Sequence, residues 1–190
     1  RAGQAAGAIV GWDLAHAAGN VWLDLHGWGV DFAAWCSYKY MNSGPGNASG
    51  VFIHQRHLDR RDIRRFEGWW GTRKETRFLM QPEFDPMPTA DAWQLSNPPI
   101  LALAPYLASL ELFDEVGMEA LIAKRDLLTG YLEFILREVD KEVDSRFEII
   151  TPADRGCQLS VFLHGEGRPL FDYLMDHGVL PDWREPNVIR

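Results

Sequence analysis

The sequence predicts an α/β protein, part of a mixed-sheet domain followed by a smaller α+β domain, on three observations. Three short apolar runs in the first 54 residues each lead into polar or glycine-bearing segments, the pattern of strands buried on both faces. From Pro98 the pattern changes to long segments with helical spacing. Beyond those helices short apolar runs return, with one further helical stretch among them. Strands alternating with connections imply a sheet whose ligands gather at the carboxyl ends of its strands.

The first run, Ala8-Ile9-Val10-Gly11-Trp12, sets Asp13 at a strand's carboxyl end. The second, Phe32-Ala33-Ala34-Trp35-Cys36, leads into Ser37-Tyr38-Lys39-Tyr40, and residues 15–25 have enough helical character for the crossover between them. The third, Gly50-Val51-Phe52-Ile53-His54, follows a glycine-rich loop at 42–47. Residues 56–94 carry much charge, glycine and proline without periodicity, and read as an irregular region containing Gly68-Trp69-Trp70-Gly71. Helices are predicted over 101–113, which includes Pro105, and over 118–139, where apolar residues recur at 118, 121, 122, 128, 132, 135 and 136. Residues 147–150 and 158–163 read as strands, 170–175 as a helix and 188–190 as the start of a strand. The change of pattern places a boundary near residue 100, between residues 1–97 and an α+β part over residues 98–190. A start without methionine and a stop just after Val188-Ile189 lead us to expect a piece of a longer protein.

Composition narrows the class of function. A chain of 190 residues, 46% hydrophobic and 12% aromatic, can bury a core. The net charge of -8 and the lack of a long basic run argue against nucleic acid or an acidic membrane surface as partner and favour a small molecule. Two cysteines, Cys36 and Cys157, are too few for a disulfide framework and suit a reducing compartment. With no apolar run near the ~20 residues that span a bilayer, a cytoplasmic location is expected.

Lys39 follows an apolar strand, stands between two tyrosines and precedes a glycine-bearing loop. A lysine desolvated in such a place can attack a carbonyl, although a lysine at a strand end is most often a solvated charge. Asp13 at a neighbouring strand end could hold a pyridine ring nitrogen in its protonated form, or could cap the next segment. His16, three residues on, could bond Asp13 or a cofactor. The histidines and acids match no metal signature, and Gly44-x-Gly46-x-x-x-Gly50 precedes a strand, so it makes a weak dinucleotide loop. One indole of Gly68-Trp69-Trp70-Gly71 could pack in a core while the other faces a phosphate or an aromatic substrate. Asn97 in Ser96-Asn97-Pro98-Pro99 is by default a turn or cap residue.

Taken together, Gly11-Trp12-Asp13-Leu14-Ala15-His16, Ser37-Tyr38-Lys39-Tyr40, Gly68-Trp69-Trp70-Gly71, Ser96-Asn97-Pro98-Pro99 and Arg155-Gly156-Cys157-Gln158-Leu159 resemble kynureninases, in order and through nearly the whole chain. These are fold-type-I enzymes of the aspartate-aminotransferase superfamily that use pyridoxal 5'-phosphate (PLP). The resemblance implies Lys39 as the Schiff-base lysine, Asp13 as partner of the pyridinium nitrogen, and His16 beside the cofactor. It further implies Tyr38 and Trp69 as cofactor contacts, Asn97 near cofactor and substrate, and Arg190 as the grip on the substrate α-carboxylate. The implied reaction is hydrolysis of a carbon–carbon bond in L-kynurenine or 3-hydroxykynurenine, giving anthranilate or 3-hydroxyanthranilate and L-alanine, in tryptophan catabolism and NAD biosynthesis. Lys39 would take the Cα proton, Tyr38 would act as acid, and the enzyme would be a homodimer. The family carries a phosphate-binding loop and a ring-stacking aromatic residue on a segment that precedes the portion matched here. Alternatives are a cysteine desulfurase or aminotransferase reaction, or an inactive binding or assembly module.

Overall fold

The computed structural model describes residues 1–144 and 146–190. Two compact units divide the chain, Arg1–Val116 and Gly117–Arg190.

The first unit is built on a three-stranded mixed sheet in the order β1 (Gly11–Asp13), β2 (Phe32–Trp35), β3 (Gly50–Ile53). Strands β1 and β2 run parallel, with Gly11 opposite Phe32 and Asp13 opposite Ala34, and β3 is antiparallel to β2. All three predicted apolar runs form strands, each trimmed at an end. One face of the sheet holds the core, where Leu14, Val30 and Ala33 are buried against Leu23, Leu25, Trp35 and Phe52. The other face presents Phe32, Ala34, Val51 and Ile53 to an open apolar cleft of about 360 Å³.

The crossover from β1 to β2 is made of turns, not the helix expected over 15–25. Local geometry explains the difference. Gly19 adopts a left-handed φ of 79°, and a Cβ there would stand 3.1 Å from the backbone of Tyr40, so the segment folds tightly onto the turn beyond β2. The Leu14 N–H bonds the Ala34 carbonyl at 2.9 Å, which carries the pairing with β2 one residue beyond β1.

The region expected to be irregular, 56–94, is so, with short 3-10 turns at Gln55–His57, Trp69–Gly71 and Ala90–Trp93. The glycines of the tryptophan motif are required by close approach: a Cβ on Gly68 would collide with the Leu95 backbone, and one on Gly71 would stand 2.9 Å from the Ala92 carbonyl. These contacts bring the segment before Asn97 against the Trp69 turn.

Besides the short α1 (Ala2–Ala5), the first unit contains α2 (Ile100–Val116). Pro98 and Pro99 precede it, and the Pro99 carbonyl accepts from Ala102 and Leu103 N–H. Ser109 donates to the Met41 carbonyl at 2.8 Å, the Tyr106 hydroxyl lies 3.4 Å from the Met41 sulfur, and Asn47 donates to the Ala102 carbonyl. The helix thereby braces the loop that follows Lys39. Its outer side leaves Leu101, Leu107 and Leu112 exposed.

The second unit opens with α3 (Met118–Glu142) and continues through β4 (Phe147–Ile149), β5 (Val161–Leu163), α4 (Arg168–Asp176), β6 (Trp183–Arg184) and β7 (Val188–Ile189). Its strands make an antiparallel sheet in the order β4-β5-β7-β6. Strand β5 starts at Val161, later than the expected 158, and just before it Thr151 Oγ1 takes the Ser160 N–H at 2.6 Å. Strand β6, only two residues long, has no period for a sequence pattern to show. Among the described residues no helix is long and apolar enough to cross a membrane.

Candidate functional site

The parallel strands β1 and β2 end side by side, and their carboxyl ends open on a cleft of about 540 Å³ lined by Asp13, Trp35, Cys36, Tyr38, Lys39 and Ser49 among others. Size and position suit a small molecule. Asp13 closes β1, so its carboxylate stands at the rim, where one oxygen accepts the Ala15 N–H at 2.9 Å. The bond is an Asx-type turn, and with no helix following, the cap expected of Asp13 becomes a turn lock.

Lys39 lies in the turn after β2, half-buried. The turn is held from beneath by Ser37, which is fully buried. Its hydroxyl lies 2.7 Å from that of Ser43 and 2.5 Å from the Ala48 carbonyl. A buried hydroxyl pair costs stability unless it is satisfied, and here it pins both ends of the loop that surrounds Lys39. The local sequence signal for this role is slight, a small polar residue just before a tyrosine–lysine pair.

The Lys39 amine lies 2.9 Å from His16 Nε2. The Cys36 thiol points at the Ala15 carbonyl, 3.8 Å away, and ties the His16 turn to the end of β2. His16 therefore meets the lysine, and neither Asp13 nor the helical face expected for it. The His16 ring also stands edge-on to Tyr40 at 6.1 Å. Tyr38, 52% exposed, lines the same cleft as Lys39 and Asp13.

Trp69 lines a different cleft of about 290 Å³, together with Glu67, Thr72, Arg77 and Phe84. Arg77 fixes it in place. The guanidinium lies 5.3 Å from the Trp69 ring centre and 4.7 Å from that of Trp70 and donates to the Trp70 and Thr72 carbonyls at 2.6 and 3.0 Å. The paired indoles meet edge-to-face at 5.5 Å. Arg77 lay unremarked in a charged stretch, since nothing local marks which arginine stacks. Asn97 is exposed, two residues beyond the Leu95 backbone that packs on Gly68.

Arg190, in the second unit, continues from β7 and pairs backbone to backbone with Asp182 at 2.8 and 3.0 Å. Its guanidinium also engages the Asp182 carboxylate, and that hydrogen bond holds the Asp182 carboxyl below the usual carboxylate range. Arg155 of the Arg-Gly-Cys-Gln-Leu motif pairs with Glu133 at 2.6 Å.

At the opposite ends of β1 and β2 lies a second polar cluster. Asp31, only 4% exposed, accepts from Val10 N–H, Gln4, Arg56 and His57 at 2.6 to 3.0 Å. Burial opposes its charge, yet the bonds from Val10, His57, Gln4 and Arg56 together hold its carboxyl far below the usual range. Both carboxylate oxygens are engaged, so Asp31 fastens the sheet.

Comparison with known proteins places these features. Residues 121–190 match the family described as the kynureninase C-terminal domain. Over its whole length the chain is 72% identical to a kynureninase of Christiangramia forsetii and to one of Flavobacterium johnsoniae, and 56% identical to one of Xanthomonas campestris pv. campestris. It spans 45% of the length of each of these relatives. In fold it is similar to an alanine–glyoxylate aminotransferase from Nostoc sp. (TM-score 0.69, 18% identity, 98% of this chain and 48% of that one). It is likewise similar to a C-DES mutant with glycine covalently linked to its PLP cofactor (TM-score 0.68, 19% identity, 91% of this chain and 44% of that one). The fold is that of the fold-type-I enzymes.

Proposed function

We propose that this chain, which belongs to the kynureninase family, supplies the anchoring lysine and ring-nitrogen carboxylate of an enzyme that hydrolyses L-kynurenine or 3-hydroxykynurenine to anthranilate or 3-hydroxyanthranilate and L-alanine with pyridoxal 5'-phosphate. The observation that carries the reading is the convergence of Asp13 and Lys39 on one cleft at the ends of adjacent parallel strands. An amine to take an aldehyde, and a carboxylate to pair with a protonated ring nitrogen, are the donor set this cofactor needs, so the residues present fit it. When bound, the cofactor serves as an electron sink for bond breaking at the substrate's Cα and Cβ.

The chain's own groups have separate tasks. Lys39 would hold the cofactor through its aldehyde group, and its amine, when free, would take the substrate's Cα proton. Asp13 would pair with the ring nitrogen and favour its protonated form, its carboxylate fixed at the strand end by the turn bond to Ala15. After water adds to the side-chain ketone, Tyr38 donates the proton that completes alanine. Arg190 binds the substrate α-carboxylate through its planar guanidinium, exchanging its contact with Asp182. Trp69, Asn97 and His16 contact cofactor or substrate. By sequence pattern residues 1–97 close the cofactor-binding domain and 98–190 belong to the smaller one, although α2 packs within the first compact unit, where it braces the lysine loop. The enzyme acts as a cytoplasmic homodimer in tryptophan catabolism and NAD biosynthesis.

The test uses the full-length protein. A visible absorption band with the cofactor, bleached by borohydride and absent in Lys39→Ala, together with release of fluorescent anthranilate from kynurenine, is the expected result. A band without anthranilate transfers the chain to a desulfurase or aminotransferase reaction, and no band makes it a binding or assembly module.

A further inference from the structure

From the contact between His16 and Lys39 we infer that His16 is the base that takes the ammonium proton of Lys39 when the lysine captures its carbonyl partner, and so sets how fast the cofactor is loaded. The inference rests on the reading of Lys39 as the cofactor's anchor.

An ordinary lysine amine carries its proton at neutral pH, with a pKa of about 10.4, and the protonated form has no lone pair with which to attack. The imidazole of a histidine, with an ordinary pKa of about 6.5, is largely neutral there and can accept. The two meet at 2.9 Å, within the reach required of a general base.

The contact is built into the fold. The turn bearing His16 is clamped to the turn bearing Lys39 by the Leu14–Ala34 backbone bond, by the Cys36 thiol on the Ala15 carbonyl, and by Gly19 against the Tyr40 backbone. The His16 carbonyl also receives the Asn20 side chain at 3.0 Å. Other titratable groups at the cleft are Asp13, Cys36 and Tyr38, with Tyr40 edge-on to the imidazole. Asp13 and Cys36 each contact the Ala15 backbone, which leaves His16 as the acceptor bonded to the lysine.

The proton balance closes. Lys39 passes one proton to His16 Nε2, and its nitrogen bonds the aldehyde carbon. The carbonyl oxygen departs as water with the nitrogen's remaining two protons. His16 then returns the borrowed proton to the nitrogen, now doubly bonded to carbon. Nothing is oxidised or reduced.

Stopped-flow mixing of cofactor-free full-length protein with pyridoxal phosphate, between about pH 6 and pH 9, follows growth of the visible band for the wild type, His16→Gln and His16→Ala. General-base assistance contributes about 10²-fold or more. Both variants should therefore load about a hundredfold more slowly at neutral pH, with a rate that climbs with pH. Glutamine can keep the hydrogen bond but cannot take the proton, so loading of His16→Gln at the wild-type rate, or a wild-type pH slope in both variants, overturns the inference. A second measurement needs no cofactor: trinitrobenzenesulfonate labelling of Lys39, read by peptide mass spectrometry, should slow in His16→Gln at neutral pH, and equal labelling overturns the proposal. Failure of the wild type itself to develop a band would instead sink the assignment of Lys39.

Discussion

The two ends of the β1–β2 pair place charged groups in opposite circumstances. At the amino ends Asp31 is buried, and four neighbouring groups donate to it. At the carboxyl ends Asp13 and Lys39 face an open cleft, where Asp13 accepts from the Ala15 N–H and Lys39 meets His16. A saturated charge holds structure together, because any group that replaces it strands the others. An unsaturated one at a rim remains available to a ligand. The same type of residue, an aspartate beside a parallel strand, thus reads as fastening in one place and as chemistry in the other.

The sharpest break of this contrast is at the open end. Lys39→Ala in the full-length protein should abolish the visible band and anthranilate release while leaving the thermal unfolding midpoint of the cofactor-free protein unchanged. Asp13→Asn retains an oxygen for the Ala15 N–H and removes only the charge, so turnover should fall by about 10²- to 10³-fold, the scale of a lost transition-state electrostatic contact. Steady-state kinetics beside a melting curve reads both outcomes, and a large loss of stability in Asp13→Asn would place Asp13 with Asp31 as a fastener.

At the closed end the expected effect is on stability. Asp31→Ala leaves Arg56 and His57 without their carboxylate and should cost about 3 kcal/mol in denaturant unfolding. Because the folded carboxyl lies far below its ordinary value, its contribution is fully present above about pH 4 and is lost progressively as the pH falls lower. Gly68→Ala, which drives a methyl group into the Leu95 backbone, should cost about 2 kcal/mol by overpacking. It should also displace the segment leading to Asn97, seen as altered protease sensitivity near residue 95.

The smallest effect concerns His54, buried and stacked on His26 at 4.8 Å. Burial first, then the neighbouring Arg56, His26 and His57, lower its pKa. A histidine held neutral in the folded state stabilises above its ordinary pKa of about 6.5 and loses that contribution as the pH falls below it. Melting curves between about pH 7 and pH 5 should show a decline that His54→Gln flattens.

The sequence by itself determined the strands, because their apolar runs have no other place to go in water, and it located Asp13 and Lys39 at strand ends through the polar residues that interrupt those runs. It also marked α3 by the spacing of its apolar residues. Tertiary structure alone decided the rest. The crossover gave up its helix because Gly19 had to fit against Tyr40, a contact 21 residues away that no local propensity encodes. That same fit turned His16 from a neighbour of Asp13 into the partner of Lys39. Arg77 and Ser37 acquired their roles from distant indoles and carbonyls, since a side chain's partner is set by where the chain returns in space.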